Sequence, residues 1–181
     1  LMPVGLELLV NTKSGRTKGN SMYTKHLGRI GEYMCMIALL EKGFVNCSLV
    51  DREGFDIIVD VGGLLKKVEV KSCNINKRES RYSFNILRGS RGYGPDNKID
   101  RSYRAYTTRD TDYFCFVARD LNKVIFKRSG EKDQYGNTKK CYKFHVEDFL
   151  YQKDCILEED KNKIIKEFKD DDKSSRHQTR P

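Results

Sequence analysis

The chain has 181 residues, of which 34% are charged and 38% hydrophobic, and its formal net charge is +9. This length predicts one domain with a real core, and the excess of positive charge favours nucleic acid as a partner. No apolar run approaches the roughly 18 residues of a membrane span, which excludes a membrane partner. The six cysteines form no Cys-x-x-Cys pair, so we expect a reducing, intracellular setting, cytoplasmic or associated with the nucleoid.

The N-terminal part combines a polar stretch with one amphipathic helix. Residues 1–21 lack periodicity over most of their length and are predicted to form a flexible basic arm. Apolar residues at three-to-four spacing then indicate a helix from about Thr24, with Gly43 as its left-handed cap. Glycines inside a helix cost about 1 kcal/mol each relative to alanine. We therefore expect a close neighbour at Gly28 and Gly31.

Glu32 lies on this helix and shares its face with apolar side chains at positions 35, 36 and 39. A carboxylate in such surroundings requires a partner, which makes Glu32 a candidate site residue. The alternative is a solvated glutamate near the start of the helix, where the helix dipole favours negative charge.

The most informative stretch is 54–71, in which two strand-like runs flank Gly62-Gly63. A glycine pair at this place predicts a two-residue hairpin turn, so that paired residues have numbers that sum to 125. Asp56 then lies opposite Glu69, and Lys71 points to the same face. Two facing carboxylates, roughly 5 Å apart at Cβ, repel each other. A divalent cation removes that repulsion, so the pattern indicates a metal-dependent phosphodiesterase centre.

A basic segment with interleaved aromatic residues follows at 74–109. Within it, 82–87 alternates enough to be a further strand of the sheet, whereas 88–95 is predicted to be an irregular, mobile basic loop. Phosphate contacts would suit this loop, and an ordinary solvated loop is the alternative. The candidate DNA-binding residues are Arg78, Arg81, Arg88, Arg91, Arg101 and Arg104.

The remainder of the chain predicts a buried strand at 112–118, a partner strand at 123–127 and an edge strand at 142–146. Residues 154–169 show only weak helical character. The predicted organisation is an arm at 1–21, a domain at 22–150, a helical segment at 151–169 and a disordered charged tail at 170–181.

The chain resembles the PD-(D/E)XK nuclease superfamily in the order of its acidic residues: a glutamate on a helix, an aspartate on one strand and Glu-x-Lys on the next strand. The matching stretches are 28–32 (GRIGE), 54–60 (GFDIIVD) and 68–72 (VEVKS). The strand opening at 112–114 is also similar to intron-associated (homing) endonucleases and archaeal-type Holliday-junction resolvases. The resemblance covers about residues 23–126, and it departs from the motif at Phe55, where the family has proline.

The resemblance implies an α/β fold with a restriction-endonuclease-like mixed β-sheet core flanked by α-helices. It implies that Asp56, Glu69 and the Val70 carbonyl bind Mg²⁺, for which Mn²⁺ can substitute. Lys71 would position or deprotonate the attacking water, and Glu32 would support the lysine or a second metal.

The function implied is Mg²⁺-dependent endonucleolytic cleavage of double-stranded DNA, site-specific as in homing enzymes. A Holliday-junction resolvase or another structure-specific repair nuclease is the alternative, and a non-catalytic nucleic-acid-binding module is a third hypothesis. Because one centre cuts one strand, we expect a homodimer or a homotetramer.

Overall fold

The computed structural model describes residues 21–52, 54–93, 99–151 and 155–177, so the predicted N-terminal arm lies outside the described residues except for Ser21. No helix in these ranges is long and apolar enough to span a membrane. The elements in chain order are α1 (Ser21–Glu41), β1 (Cys47–Arg52), β2 (Phe55–Val61), β3 (Leu64–Cys73), β4 (Arg81–Asn85), β5 (Leu87–Tyr93), β6 (Ile99–Ala105), β7 (Tyr113–Ala118), β8 (Lys123–Arg128), β9 (Cys141–His145), α2 (Val146–Leu150) and α3 (Ile156–His177).

The main sheet is mixed, as predicted. Among the described residues it has five strands in the order β1-β2-β3-β7-β8. The pair β3 and β7 is parallel, and the other neighbours are antiparallel. Every residue of β7 is buried, which agrees with the continuous apolar run that predicted a buried strand. With helices against it, this sheet gives the α/β, restriction-endonuclease-like fold that was expected.

The hairpin of β2 and β3 has the predicted register, from Ile57 opposite Val68 to Val61 opposite Leu64. Its turn residues Gly62 and Gly63 have φ values of +66° and +90°. Two consecutive positive φ angles are those of a type I′ turn, which suits the twist of a hairpin. The turn is closed by the Gly63 amide, which donates to Asp60 Oδ1 at 2.7 Å.

Two cores lie on opposite faces of the main sheet. Helices α1 and α3 cover one face, where Cys35, Leu39 and Leu157 pack with valines and isoleucines of β2, β3 and β7. The other face is covered by β4, β9 and α2 and is rich in aromatic side chains, among them Phe114 and Phe116 of β7. The sheet is therefore buried on both sides around β7, which fixes the position of its neighbour β3.

Helix α1 ends as predicted, because Gly43 has a φ of +78°. The Gly43 amide donates to the Leu40 carbonyl, and the Phe44 amide donates to the Leu39 carbonyl. This pair of hydrogen bonds is a Schellman cap. The two interior glycines differ: a Cβ at Gly31 would lie 2.6 Å from the Cβ of Ser72, whereas a Cβ at Gly28 would meet no atom within 4 Å. The expected close approach exists at Gly31 and is absent at Gly28.

The basic segment differs from its prediction in two ways. Residues 81–85 form β4, which pairs with β9 in a separate two-stranded sheet and does not join the main sheet. The prediction of an irregular loop at 88–95 is wrong, because β5 and β6 form an antiparallel ribbon. Residues 94–98 lie outside the described part. Glycines at 89 and 92 weaken strand propensity, and the partner strand supplies the hydrogen bonds that the sequence pattern did not reveal.

The C-terminal end also differs from its prediction. Helix α3 runs from Ile156 to His177, so most of the tail expected to be disordered at 170–181 is helical. The helix is tied to the sheet by Asp160, which accepts hydrogen bonds from Tyr113 Oη at 2.6 Å and from Arg128 Nη2 at 2.5 Å. Its many charged residues are good helix formers. Their polarity favoured disorder in the prediction, but their helix propensity decides the structure.

Candidate active site

The candidate site lies where β2 and β3 separate. Their paired ladder runs as far as Ile57 and Val68, and from Val68 onward β3 is paired with β7. Beyond the ladder, the Val70 amide donates to Asp56 Oδ2 at 2.7 Å. A side-chain carboxylate therefore accepts from a β3 amide where the two strands diverge. This arrangement holds the Asp56 carboxylate beside β3, close to Glu69.

The Asp56 carboxyl is electrostatically strained. Burial, followed by the negative charge of the neighbouring Glu69, raises its pKa to about 7. Glu32 raises the pKa further, while the hydrogen bond from the Val70 amide and the charge of Lys71 act in the opposite direction. A carboxyl with such a pKa is half protonated near neutrality, and a cation bound between the two acids would favour its charged form.

Glu69 is a buried acid with two donors on the same oxygen. Its side chain is only 8% exposed, and its Oε1 accepts from Lys71 Nζ and, at 2.6 Å, from Tyr106 Oη. Glu69 and Lys71 lie two residues apart on β3 and point to the same face, as the period-two alternation predicts. The structure thus brings together three predicted site residues, Asp56, Glu69 and Lys71.

Glu32 reaches the same region from α1. Its charge contributes to the raised pKa of Asp56, so the two carboxylates are within electrostatic range. Arg29 Nη1 donates to Glu32 Oε2 at 2.6 Å, one helical turn away, which supplies the partner that this carboxylate requires. The helix can approach β3 here because Gly31 has no side chain and lies against Ser72, whose hydroxyl donates to the Leu27 carbonyl.

Tyr106 is the site residue that the sequence did not indicate. It follows β6 and is 5% exposed. Burial and the adjacent Glu69 raise the pKa of Tyr106 far above its usual range, so its hydroxyl remains a hydrogen-bond donor. Glu69 and Tyr106 are 37 residues apart in the chain, and no motif or periodic pattern connects them. An aromatic residue at the end of a strand gives no signal of this contact.

Two of the six predicted DNA-binding arginines converge on one acid. Arg88 Nη1 and Arg104 Nη2 each lie 2.5 Å from Asp110 Oδ1. The same guanidinium of Arg88 packs on the turn before β2, because a Cβ at Gly54 would lie 3.1 Å from its Nη1. Arg88 therefore lies near the start of the strand that carries Asp56.

The other four arginines have different settings. Arg78 and Arg81 lie on the turn before β4 and at the start of that strand. Arg91 and Arg101 are opposite each other in the register of the β5–β6 ribbon, as Arg88 and Arg104 are. The ribbon thus carries two arginine pairs along its length.

The donor set suits a hard divalent cation. Asp56 and Glu69 offer carboxylate oxygens, and Mg²⁺ is commonly held by one or two carboxylates together with water and substrate phosphate. The pKa of Asp56 is raised first by burial and then by the negative charge of Glu69, so the two acids repel each other when both are ionised. Within the part of the chain that the structure describes, no group of three or more His, Cys, Asp or Glu side chains forms a metal site, so Glu32 does not complete a three-carboxylate set.

A mixed sheet that carries paired acids and a lysine where two strands separate is the arrangement of a nuclease with a restriction-endonuclease-like fold. The chain belongs to the PD-(D/E)XK endonuclease family, whose model matches residues 22–129. A solved structure of a bacterial homing endonuclease, I-Ssp6803I, is similar at 26% identity and a TM-score of 0.49, over 58% of this chain and 68% of that chain. No curated protein matches the chain.

Proposed function

We propose that this protein is a divalent-cation-dependent endonuclease that cleaves double-stranded DNA, with Asp56, Glu69 and Lys71 at its cleavage centre. The observation that carries the proposal is the pair of acids, Glu69 buried and Asp56 half-buried, at the point where β2 and β3 separate. Burial, followed by the negative charge of Glu69, raises the pKa of Asp56 to about 7, and Lys71 is in contact with Glu69. An arrangement that is unfavourable without a cation is typical of a site built to bind one.

The residues have distinct roles in this proposal. Asp56, Glu69 and the Val70 carbonyl would hold Mg²⁺ or Mn²⁺. When bound, the cation supplies a hydroxide-like nucleophile near neutral pH and neutralises charge on the phosphate. Lys71 Nζ adds positive charge where the transition state becomes more negative, and it orients the attacking water. Glu32, paired with Arg29, supports this centre from α1.

The β5–β6 ribbon favours recognition of a DNA sequence. The major groove of B-DNA admits a two-stranded β-ribbon, and arginines are the residues that most often read guanine there. The ribbon carries the pairs Arg88–Arg104 and Arg91–Arg101 in its register. Site-specific cleavage, of the kind that homing enzymes perform, is therefore our first proposal. A junction resolvase would use the same chemistry with a surface that reads DNA shape.

Cutting both strands requires two centres, because each centre hydrolyses one strand. We therefore propose that the active form is a homodimer or a homotetramer. Sedimentation of the protein with and without its DNA substrate would determine the number of subunits.

The direct test is incubation of supercoiled plasmid with the protein and MgCl₂. We expect the wild type to nick or linearise the plasmid, and Glu69→Ala, Lys71→Ala and an EDTA control to leave it intact. Both variants should still shift DNA in a gel, since the ribbon is untouched. Glu131→Ala and Lys139→Ala are matched controls, because this Glu–Lys pair, 3.1 Å apart, lies outside the candidate site. Both controls should cleave as the wild type does.

A panel of substrates separates the alternatives. Cleavage of one sequence in a randomised linear library supports site-specific recognition, whereas cleavage of four-way junctions irrespective of sequence supports a resolvase. If the wild type binds DNA and cuts no substrate in the panel, the protein is a non-catalytic binding module and the endonuclease hypothesis is wrong.

A further inference from the structure

Tyr106 contacts both charged members of the proposed centre. Its hydroxyl donates to Glu69 Oε1 at 2.6 Å. The Lys71 ammonium lies 5.3 Å from the centroid of its ring, within the range of a cation–π interaction. Lys71 also contacts the same oxygen of Glu69. Tyrosine, glutamate and lysine therefore form a closed set of three contacts.

The ring of Tyr106 is fixed by its surroundings. It packs edge-on against Phe114, with 5.3 Å between the centroids and 83° between the planes. Phe114 is the register partner of Glu69 across β3 and β7, so the strand paired with the one that carries the acid supplies the support for the tyrosine. The segment after Tyr106 is anchored as well, because Asp110 Oδ2 accepts from the Thr107 amide at 2.9 Å.

Buried tyrosines with a carboxylate partner occur elsewhere in this protein, which provides a comparison. Tyr82 is fully buried in the aromatic core and donates to Asp120 Oδ1 at 2.9 Å. Its contact joins β4 to the turn between β7 and β8, and neither partner belongs to the candidate site. Tyr82 and Tyr106 thus have the same chemistry and similar burial but different neighbours.

We propose that Tyr106 is a positioning residue that holds the Glu69 carboxylate in its metal-binding orientation and keeps Lys71 beside it. The inference rests on the proposed function, because it concerns the same centre. A positioned carboxylate binds a cation without first ordering its side chain. Groups that orient metal ligands typically contribute about 10- to 100-fold in metal affinity or activity.

The test compares Tyr106→Phe with Tyr82→Phe, each of which removes one hydroxyl and retains the ring. For Tyr106→Phe we expect kcat to fall by about 10- to 100-fold while the KM for DNA stays constant, because the arginines are unaffected. Calorimetric titration with Mn²⁺, without DNA, should show that Tyr106→Phe binds Mn²⁺ more weakly than the wild type does. Tyr82→Phe should match the wild type in both measurements.

Two outcomes would overturn the proposal: wild-type kcat and Mn²⁺ affinity in Tyr106→Phe, or a loss of activity that only follows a loss of folded protein. Circular dichroism gives the folded fraction, and Mn²⁺ titration below the unfolding midpoint reports on folded molecules. Unchanged affinity there assigns Tyr106 to stability. If the wild type cleaves no DNA, the proposed function fails, while the Mn²⁺ titrations still test Tyr106.

Discussion

The strain on Asp56 predicts how the stability of the metal-free protein depends on pH. The pKa of Asp56 rises from its ordinary value of 3.8 to about 7 in the folded state. The folded state therefore binds the proton more tightly than the unfolded state does. The resulting stabilisation is complete below about pH 4 and is lost as the pH rises to about 7. Asp56→Asn cannot carry the charge and should escape this loss.

The magnitude follows from linkage. Each pKa unit corresponds to about 1.4 kcal/mol, so ionisation of Asp56 should remove about 2–3 kcal/mol of unfolding free energy between pH 5 and pH 8. We expect the stability of Asp56→Asn relative to the wild type to increase by about this amount over the same interval. Groups that do not interact with Asp56 titrate alike in both proteins, and their effects cancel in the difference.

The assay is urea unfolding of both proteins in EDTA at pH 5 and pH 8, followed by circular dichroism. Excess MgCl₂ provides the control, because a cation bound between the acids should restore the wild type at pH 8 and leave Asp56→Asn nearly unchanged. A difference between the two proteins that is the same at both pH values would refute the electrostatic strain. So would an equal effect of MgCl₂ on both.

Three further predictions concern the framework around the site. Gly31→Ala should destabilise the protein by about 1–3 kcal/mol, because the new Cβ would lie 2.6 Å from the Cβ of Ser72. Gly28→Ala should instead stabilise the protein by up to about 1 kcal/mol. Thermal unfolding measures both changes. Asp110→Asn should cost about 1–3 kcal/mol near neutral pH, because the carboxylate holds two guanidinium groups. The hydrogen bond from Arg104 holds the pKa of Asp110 below its usual range, so this difference in urea unfolding should shrink as the pH falls below about 4. Arg104→Gln should reduce the slope of log K for DNA against log salt by about one, measured by fluorescence anisotropy; an unchanged slope would place this arginine away from phosphate.

The sequence was most informative where one strong local rule applied. The Gly62-Gly63 pair permits a type I′ turn, and period-two alternation then assigns every side chain of the hairpin to a face. The register, the buried valines and the proximity of Asp56 to Glu69 follow from that rule alone. The fold class was predicted from the order of helix, hairpin and buried strand, which this chain shares with the PD-(D/E)XK family.

The sequence was least informative where distant contacts decide the structure. The β5–β6 ribbon has glycines at 89 and 92, and its stability comes from a partner strand and from Asp110 beyond the ribbon. Tyr106 becomes part of the site only because β3 and β7 are paired in parallel, which places Phe114 beside Glu69. Helix α3 has few apolar residues, and its docking depends on Leu157 and Asp160. None of these contacts is local enough to leave a periodic pattern.

The hydrogen bond from the Val70 amide to Asp56 Oδ2 gives the centre a natural spectroscopic probe. The acceptor of this amide proton is a side-chain carboxyl oxygen, whereas in a regular β-ladder it would be a backbone carbonyl. Protonation of the acid, or its recruitment by a cation, changes the electron density at that oxygen. The ¹⁵N–¹H resonance of Val70 should therefore move with pH and with added Mg²⁺, and its rate of hydrogen exchange should change in parallel. A single backbone signal can thus report the state of the centre in the absence of DNA.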